Sequence, residues 1–388
     1  MTKILHFIPD DKFVDMILDE LDAFEGVVNR YCMYNRRSAD EIRWHRHVDR
    51  VEFTPYGSDA LEKRLAECRA GGYDGVVFHS MPVEFDYFAK NCGNVKKVFV
   101  PWGHDIYGIM RFKDYMPETE RFMRSRKFRD SFRRRIGRPI RKIQHWFSTI
   151  SCLPLSRYVR TIINEIDYIA PVLSEDVELF RKAYPRSRIP DVIAFQYGYY
   201  TIGPSVGVSR AVGPILVNNS ATATGNHVDV FRKLDKIGVR SDLIVPLNYG
   251  DSPADLDFVK EEGAKILGDR FRPILDFMPK DDYFRYISQC THMVMGHNRQ
   301  QALGNIIWGL SAGLKLFFWK RSPVYRQYKA MGFEICSLDD ATLEDFNMCL
   351  PIESQRRNAA LVVEHFGKEA MLRKLAGLVE ILSRKRRS

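Results

Sequence analysis

Short strand-length runs of apolar and β-branched residues alternate with helical stretches along this chain, and the whole alternation occurs twice. Ile4–Ile8 reads as a first strand, followed by a helical period through Phe13, Ile17, Leu18 and Leu21. Val27–Met33, Val51–Phe53, Val76–Phe78 and Val98–Val100 are further β-prone runs, separated by helical or polar stretches such as Ala60–Arg69. From Tyr168 another short strand and the helix Ser174–Ala183 follow, before a Pro-, Gly- and Ser-containing stretch from Thr201 to Pro214. The pattern then resumes: Ile215–Val217, a helix near His227–Ile237, Asp242–Val245, a helix near Ala254–Ala264, Ile274–Phe277, a helix near Asp281–Cys290, Met293–Met295 and Leu316–Trp319. Such alternation argues for parallel sheets with helices on both faces, an α/β class. The expectation is two doubly wound domains facing a cleft, 1–205 and 206–388, with ligands outside the carboxyl ends of the strands.

The chain's 388 residues suffice for two apolar cores, and 45% hydrophobic with 28% charged residues is a globular balance. Its seven cysteines are odd in number, scattered and never in a CxxC pair, which fits neither a disulfide framework nor a zinc site and implies a reducing compartment. The opening MTKILHFIPDD lacks a basic start and is broken by Pro9 and two aspartates, unlike a signal peptide. No stretch reaches the ~20 uninterrupted apolar residues of a membrane-spanning helix. A cytoplasmic location is expected.

The net charge of +10 is local: eleven Lys or Arg and one acid, Asp130, fall between Arg121 and Lys142. Wound as a helix, this segment would place Phe128, Phe132, Ile136, Ile140, Ile143, Trp146, Phe147 and Ile150 within an arc of about 120°, most arginines opposite, with Gly137 and Pro139 as a kink. That is the pattern of an interfacial helix on anionic lipid, with Arg133, Arg134 and Arg135 on the headgroups and Phe132, Ile136 and Trp146 below them. A nucleic-acid reading is disfavoured because the aromatics form one stripe instead of interleaved stacking platforms. A solvated helix packed by its apolar face is the plain structural alternative.

Two polar loops stand where ligands are expected. In Thr291–Gly313, a strand at Met293–Met295 leads through the polar run His297–Gln301, with Arg299 among amides, into a helical period from Leu303. The first turn of that helix leaves N–H groups unpaired, so Gly304 and Asn305 with Arg299 would suit a phosphate or diphosphate. In Ile215–His227, a strand runs into small hydroxyl and amide residues that offer donors for a pyrophosphate, although Asn226 or Thr224 could simply cap the helix. Neither GxxxxGK[ST] nor GxGxxG occurs, which disfavours a nucleoside triphosphatase or a nicotinamide enzyme.

VNNSATATGNH, then VPLNYGD at Val245–Asp251, then HNRQQALGN, in this order, resemble the bacterial transferases that move 4-acetamido-4,6-dideoxygalactose from a thymidine diphosphate donor to a polyprenyl-linked saccharide, glycosyltransferase family 56. The likeness covers most of residues 215–335, and Phe78-His79 and Trp102-Gly103-His104-Asp105 resemble the family's Phe-His and Trp-Gly-x-Asp motifs, with His104 where alanine is usual. The resemblance implies a GT-B fold, a nucleotide sugar in the second domain, an acceptor in the first, no cofactor and no obligatory metal. The partners would be a dTDP- or UDP-linked donor, a polyprenyl-diphosphate-linked saccharide and the inner face of the cytoplasmic membrane.

On this reading Arg299, Gly304 and Asn305 stabilise the departing diphosphate. Asn219, Ser220, Thr222 and His227 hold its other side, Tyr249 meets the nucleoside or sugar, and Gln300 and Gln301 suit sugar hydroxyl or acetamido groups. Asp105 and His79, both just past strand ends, are the candidate bases for the acceptor hydroxyl. Phe277 and Met278 are expected to pack in the core, and His45 and His47, lacking a third ligand, at the surface. The rival classes are a non-catalytic nucleic-acid or lipid adaptor and a nucleotide-sugar epimerase or hydrolase of the same fold.

Overall fold

The computed structural model of the chain describes residues 1–80, 84–110, 112–126, 153–201, 211–250 and 252–384. One sheet is built from β1 (Thr2–Ile8), β2 (Val27–Met33), β3 (Val51–Phe53), β4 (Gly75–His79), β5 (Lys96–Val100), β6 (Tyr168–Ile169) and β7 (Asp191–Val192). Its order is β3-β2-β1-β4-β5-β6-β7, and every neighbouring pair is parallel. β4 and β5 are buried along their whole length, as strands of a parallel sheet covered on both faces are.

A second sheet comprises β8 (Ile215–Val217), β9 (Leu243–Pro246), β10 (Phe271–Ile274), β11 (His292–Met295), β12 (Lys315–Phe318) and β13 (Cys336–Ser337), ordered β10-β9-β8-β11-β12-β13 and again wholly parallel. In each sheet the chain begins near the middle, winds to one edge, then returns and winds to the other. The strand order therefore reverses between β1 and β4 and between β8 and β11. At such switch points the loops leaving the carboxyl ends diverge and open a crevice.

The chain divides into two compact units, but not by one cut near residue 205. The first holds Met1–Phe112, the described residues of Gln144–Tyr199 and those of Phe366–Ser388; the second holds the described residues of Lys113–Ile143 and Tyr200–His365. The helix Lys368–Ser383 belongs to the first unit because Met371, Leu375, Leu378 and Leu382 lie on one face of it and bury against Ile4, Ile17, Val77 and Val98. Each such side chain contributes ~1.5–3 kcal/mol on burial. Gly75 makes room for this helix, since a Cβ there would sit 2.6 Å from Leu382.

The helix at residues 117–126 is tied into the second unit from outside. The Asp229 carboxylate accepts from the N–H groups of Glu118 (2.8 Å) and Thr119 (3.0 Å) and from the Thr119 hydroxyl (2.7 Å), so it caps orphan amides of the first turn. Arg126 pairs with Asp255 at 2.6 Å, and the rings of Phe122 and Phe258 stack 3.8 Å apart.

Two local readings change. β10 occupies Phe271–Ile274, not Ile274–Phe277, because its register is set by pairing with Leu243–Pro246; Phe277 is consequently 83% exposed and not part of the core. His45 is buried against Asp15, not at the surface. The expected membrane contacts Arg133, Arg134, Arg135, Phe132, Ile136 and Trp146 lie outside the described residues. Among the described residues no helix is long and apolar enough to cross a membrane.

Candidate active site

The site of the second unit is built on two buried asparagines at its switch point. Directly after β8, Asn218 takes a left-handed conformation (φ 59°), donates from Nδ2 to the Gly225 carbonyl (2.8 Å) and accepts at Oδ1 from the Gly296 N–H (2.8 Å). Asn226, also left-handed (φ 50°), donates from Nδ2 to the carbonyls of Gly296 (2.9 Å), Asp114 (3.1 Å) and Thr224 (3.2 Å) and accepts from the Met116 N–H (2.8 Å). Asparagine tolerates this backbone region better than most residues, and its amide serves as both donor and acceptor. A Cβ at Gly296 would run into the Gly225 carbonyl, so the loops after β8 and β11 touch only because glycine stands there.

On this frame the polar side chains form one network. Arg299 Nε donates to Gln301 Oε1 (3.3 Å), which also accepts from the Thr224 hydroxyl (2.7 Å); Gln301 Nε2 donates to Thr222 Oγ1 (2.9 Å), and Ser220 Oγ lies 3.2 Å from that oxygen. Asn219 Nδ2 donates to the hydroxyl of Tyr249 (2.6 Å), a side chain whose residue is 57% exposed. The helix Leu303–Ser311 follows, entered through a left-handed Ala302 that supplies no side-chain cap. Its first amides thus lack intrahelical acceptors. Asn305 spends its Nδ2 on the Tyr283 hydroxyl (2.8 Å), and a Cβ at Gly304 would meet nothing nearer than the Tyr200 hydroxyl at 3.8 Å.

Buried polar atoms without a partner concentrate here. Among the described residues they include Asp114 Oδ1, Asn219 Oδ1, Asn298 Oδ1 and the ring nitrogens of His297. Burial pushes the imidazoles of His227 and His297 down to about 3; the Ser220 backbone opposes this slightly at His227, and the neighbouring His227 and Arg299 add to it at His297. Both rings are therefore neutral. A neutral imidazole is a hydrogen-bond donor that brings no charge of its own. Neutral buried rings, a guanidinium and the first amides of a helix are groups whose chemistry suits an anion.

The first unit gathers its polar residues at its own switch point. His79 ends β4 and is fully buried. Trp102 Nε1 donates to the Tyr197 hydroxyl (2.9 Å), which donates to His79 Nδ1 (2.5 Å); His79 Nε2 faces His6 Nδ1 (3.1 Å), and His6 Nε2 faces Asn29 Oδ1 (3.0 Å). The chain of bonds fixes both tautomers with Nε2 protonated. Burial takes His6 down to about 4 and His79 well below its usual range. Asp105, half-buried, lies in the short helix His104–Tyr107, and its two oxygens accept the Trp102 N–H at 2.9 and 3.1 Å.

No protein-family model matches the chain. Solved structures align with it along nearly its whole length. Sucrose-phosphate synthase from Thermosynechococcus elongatus does so with a TM-score of 0.64 at 9% identity, over 98% of this chain and 99% of that one. A glycosyltransferase from Rickettsia africae gives 0.62 at 12% identity over 99% of each chain, and Anabaena HepE, solved with UDP and glucose, gives 0.62 at 12% over 98% and 100%. The fold is GT-B. At these identities the likeness carries the architecture and no residue roles.

Within the GT-B architecture, the predicted donor residues Asn219, Ser220, Thr222, His227, Tyr249, Arg299, Gln300, Gln301, Gly304 and Asn305 all belong to the second unit, and Asp105 and His79 to the first. Ser220, Thr222, Thr224 and Gln301 join Arg299 in one network, whereas Asn219 bonds Tyr249 and the Asn305 amide is committed to Tyr283. His79 has its one basic nitrogen occupied by Tyr197, and both oxygens of Asp105 accept the Trp102 N–H. Sequence reasoning missed the framing roles of Asn218 and Asn226 and the burial of His297. A histidine two residues past the apolar run Met293–Met295 was a usable signal for the last of these.

Proposed function

We propose that this chain is a glycosyltransferase that takes its sugar from a nucleotide diphosphate, with the diphosphate held at the β8–β11 switch point. The observation that carries the reading is the convergence of Arg299, two neutral buried histidines and unpartnered buried polar atoms on one place in a GT-B fold. Bond cleavage to the anomeric carbon puts negative charge on the departing phosphate. Arg299 and the amides of the helix from Leu303 meet that charge, the task a divalent cation has in metal-dependent transfer. The Anabaena neighbour solved with UDP and glucose supports a nucleotide-sugar donor. The family 56 resemblance of residues 215–335 favours a dTDP- or UDP-linked acetamido-deoxy sugar and a polyprenyl-diphosphate-linked acceptor in bacterial surface polysaccharide synthesis.

In this reading the first unit binds the acceptor and Asp105 accepts its proton. Asp105→Asn is expected to slow transfer by ~10²-fold or more while leaving nucleotide affinity unchanged. Donor turnover with a lipid-linked saccharide, followed by product NMR, measures this; wild-type turnover in the variant removes Asp105 from the mechanism. Donor consumption without any acceptor would point instead to a hydrolase or epimerase.

We also propose that the basic stretch Arg121–Lys142 holds the enzyme on an anionic membrane face. Each basic residue near such a surface contributes about 1 kcal/mol, so a fraction of the eleven suffices. Charge reversal of Arg133, Arg134 and Arg135 is expected to release the protein from anionic liposomes in flotation and to spare turnover of a soluble acceptor analogue. A triple variant that floats like wild type would show that the stretch is not the anchor, and retardation of RNA or DNA by the wild type would favour the nucleic-acid alternative.

A further inference from the structure

Just before the helix at residues 117–126, the segment Lys113–Met116 is strapped onto the two donor-site loops by its backbone. The Lys113 carbonyl accepts from Arg321 (2.6 Å), the Asp114 carbonyl accepts from Asn226 and from Asn298 (3.1 Å each), and the Met116 N–H donates to Asn226 (2.8 Å). None of these bonds uses the Asp114 side chain. Its Oδ1 is buried and without a partner. The charged groups whose fields reach it are Arg299, from the loop after β11, and Arg321, from the turn after β12; His297, beside Arg299, is neutral.

We infer that Asp114 is a member of the donor-phosphate site: its carboxyl takes up one proton from solvent when the diphosphate binds and then donates a hydrogen bond to a phosphate oxygen. The inference rests on the donor reading above. Two guanidinium groups favour the ionised carboxylate, while burial works against it and holds its pKa above the usual carboxylate range. A diphosphate seated on Arg299 cancels the favourable charge and adds negative charge at close range. Like charges sharing a poorly solvated site cannot both stay ionised, and the carboxyl is the one that can protonate near neutral pH. Protonation converts a repelled acceptor into a donor, and it gives the orphan Oδ1 a partner.

Isothermal titration of UDP-glucose and dTDP-glucose, whose diphosphate diesters do not titrate near neutral pH, tests this in the absence of acceptor. Repeated in buffers of different ionisation enthalpy, the titration with wild-type protein is expected to show uptake of a fraction of a proton approaching one. Affinity should fall as pH rises through the interval between the free and bound pKa values, by up to tenfold per pH unit. Asp114→Asn, isosteric and with an N–H in place of the O–H, is expected to bind with no proton uptake and no such pH slope. Asp114→Ala should also lose the linkage and bind roughly tenfold more weakly. Binding to wild type without proton uptake, or uptake that persists in Asp114→Asn, would overturn the role of Asp114 while leaving the donor reading intact. Failure of both nucleotide sugars, and of the free nucleoside diphosphates, to bind at all would overturn both.

Discussion

Arg299→Ala is expected to lower kcat/KM for the nucleotide sugar by about 10²–10³-fold, the largest effect of any single replacement at the site. The two imidazoles beside it are neutral, and its guanidinium is the charge that the loop after β11 brings to the pocket. Its removal takes away the nearest compensating charge from a departing diphosphate in a poorly solvated place, where an uncompensated charge is most costly. Much of the loss should fall on kcat, because the leaving phosphate carries more charge in the transition state than in the bound donor. Arg299→Lys should recover part of the rate: the charge returns, but the planar fork that also engages Gln301 does not. Steady-state kinetics with the donor varied measure both, and an alanine variant within a few-fold of wild type would remove Arg299 from the chemistry.

Asn226→Ala is expected to cost about 3–5 kcal/mol of folding stability, read as a shift of the urea midpoint. The side chain is wholly buried and makes four hydrogen bonds to three separate pieces of backbone: the loop after β8, the loop after β11 and the segment at 114–116. Truncation leaves buried partners unsatisfied, at about 1–3 kcal/mol each before relaxation, and forces an alanine into a left-handed conformation. Asn226→Gly separates the two contributions. Glycine accepts φ 50° without strain, so it should recover about 1 kcal/mol over alanine and no more. Equal stability of the glycine variant and wild type would mean that the hydrogen bonds contribute nothing.

How much of this could be read from the chain follows from what each feature depends on. His227–Ile237 and Ser174–Ala183 form helices with the expected bounds, and most strands fall within one or two residues of their apolar runs, because periodicity and burial are local properties of the sequence. β10 slipped because Ile274–Phe277 looks as strand-like as Phe271–Ile274, and only pairing with β9 decides between them. The unit boundary was illegible for a similar reason. The apolar face of the helix from Lys368 announces that it packs on something, but not that its partner is the sheet at the other end of the chain.

The site was legible where chemistry and position coincide. Polar residues at the ends of Ile215–Val217 and Met293–Met295 stood out against their strands, and they come together in the structure. Asn226 was ambiguous because a helix cap and a left-handed bracing residue have the same sequence signature; it occupies the cap position, yet its side chain braces the loops and makes no bond to the helix. Asp114 gave no signal at all. It meets Asn226 across more than a hundred residues of chain, and nothing around it in sequence marks a site.

The central claim is that the β8–β11 switch point of the second unit holds the diphosphate of a nucleotide sugar. Isothermal titration of thymidine and uridine diphosphates into wild type, Arg299→Ala and Asp105→Asn tests it most directly. The account predicts saturable binding of one or both nucleotides by wild type, unchanged affinity in Asp105→Asn and a large loss in Arg299→Ala. No binding of either nucleotide by wild type at millimolar ligand, or binding that Arg299→Ala leaves unaltered, would contradict it.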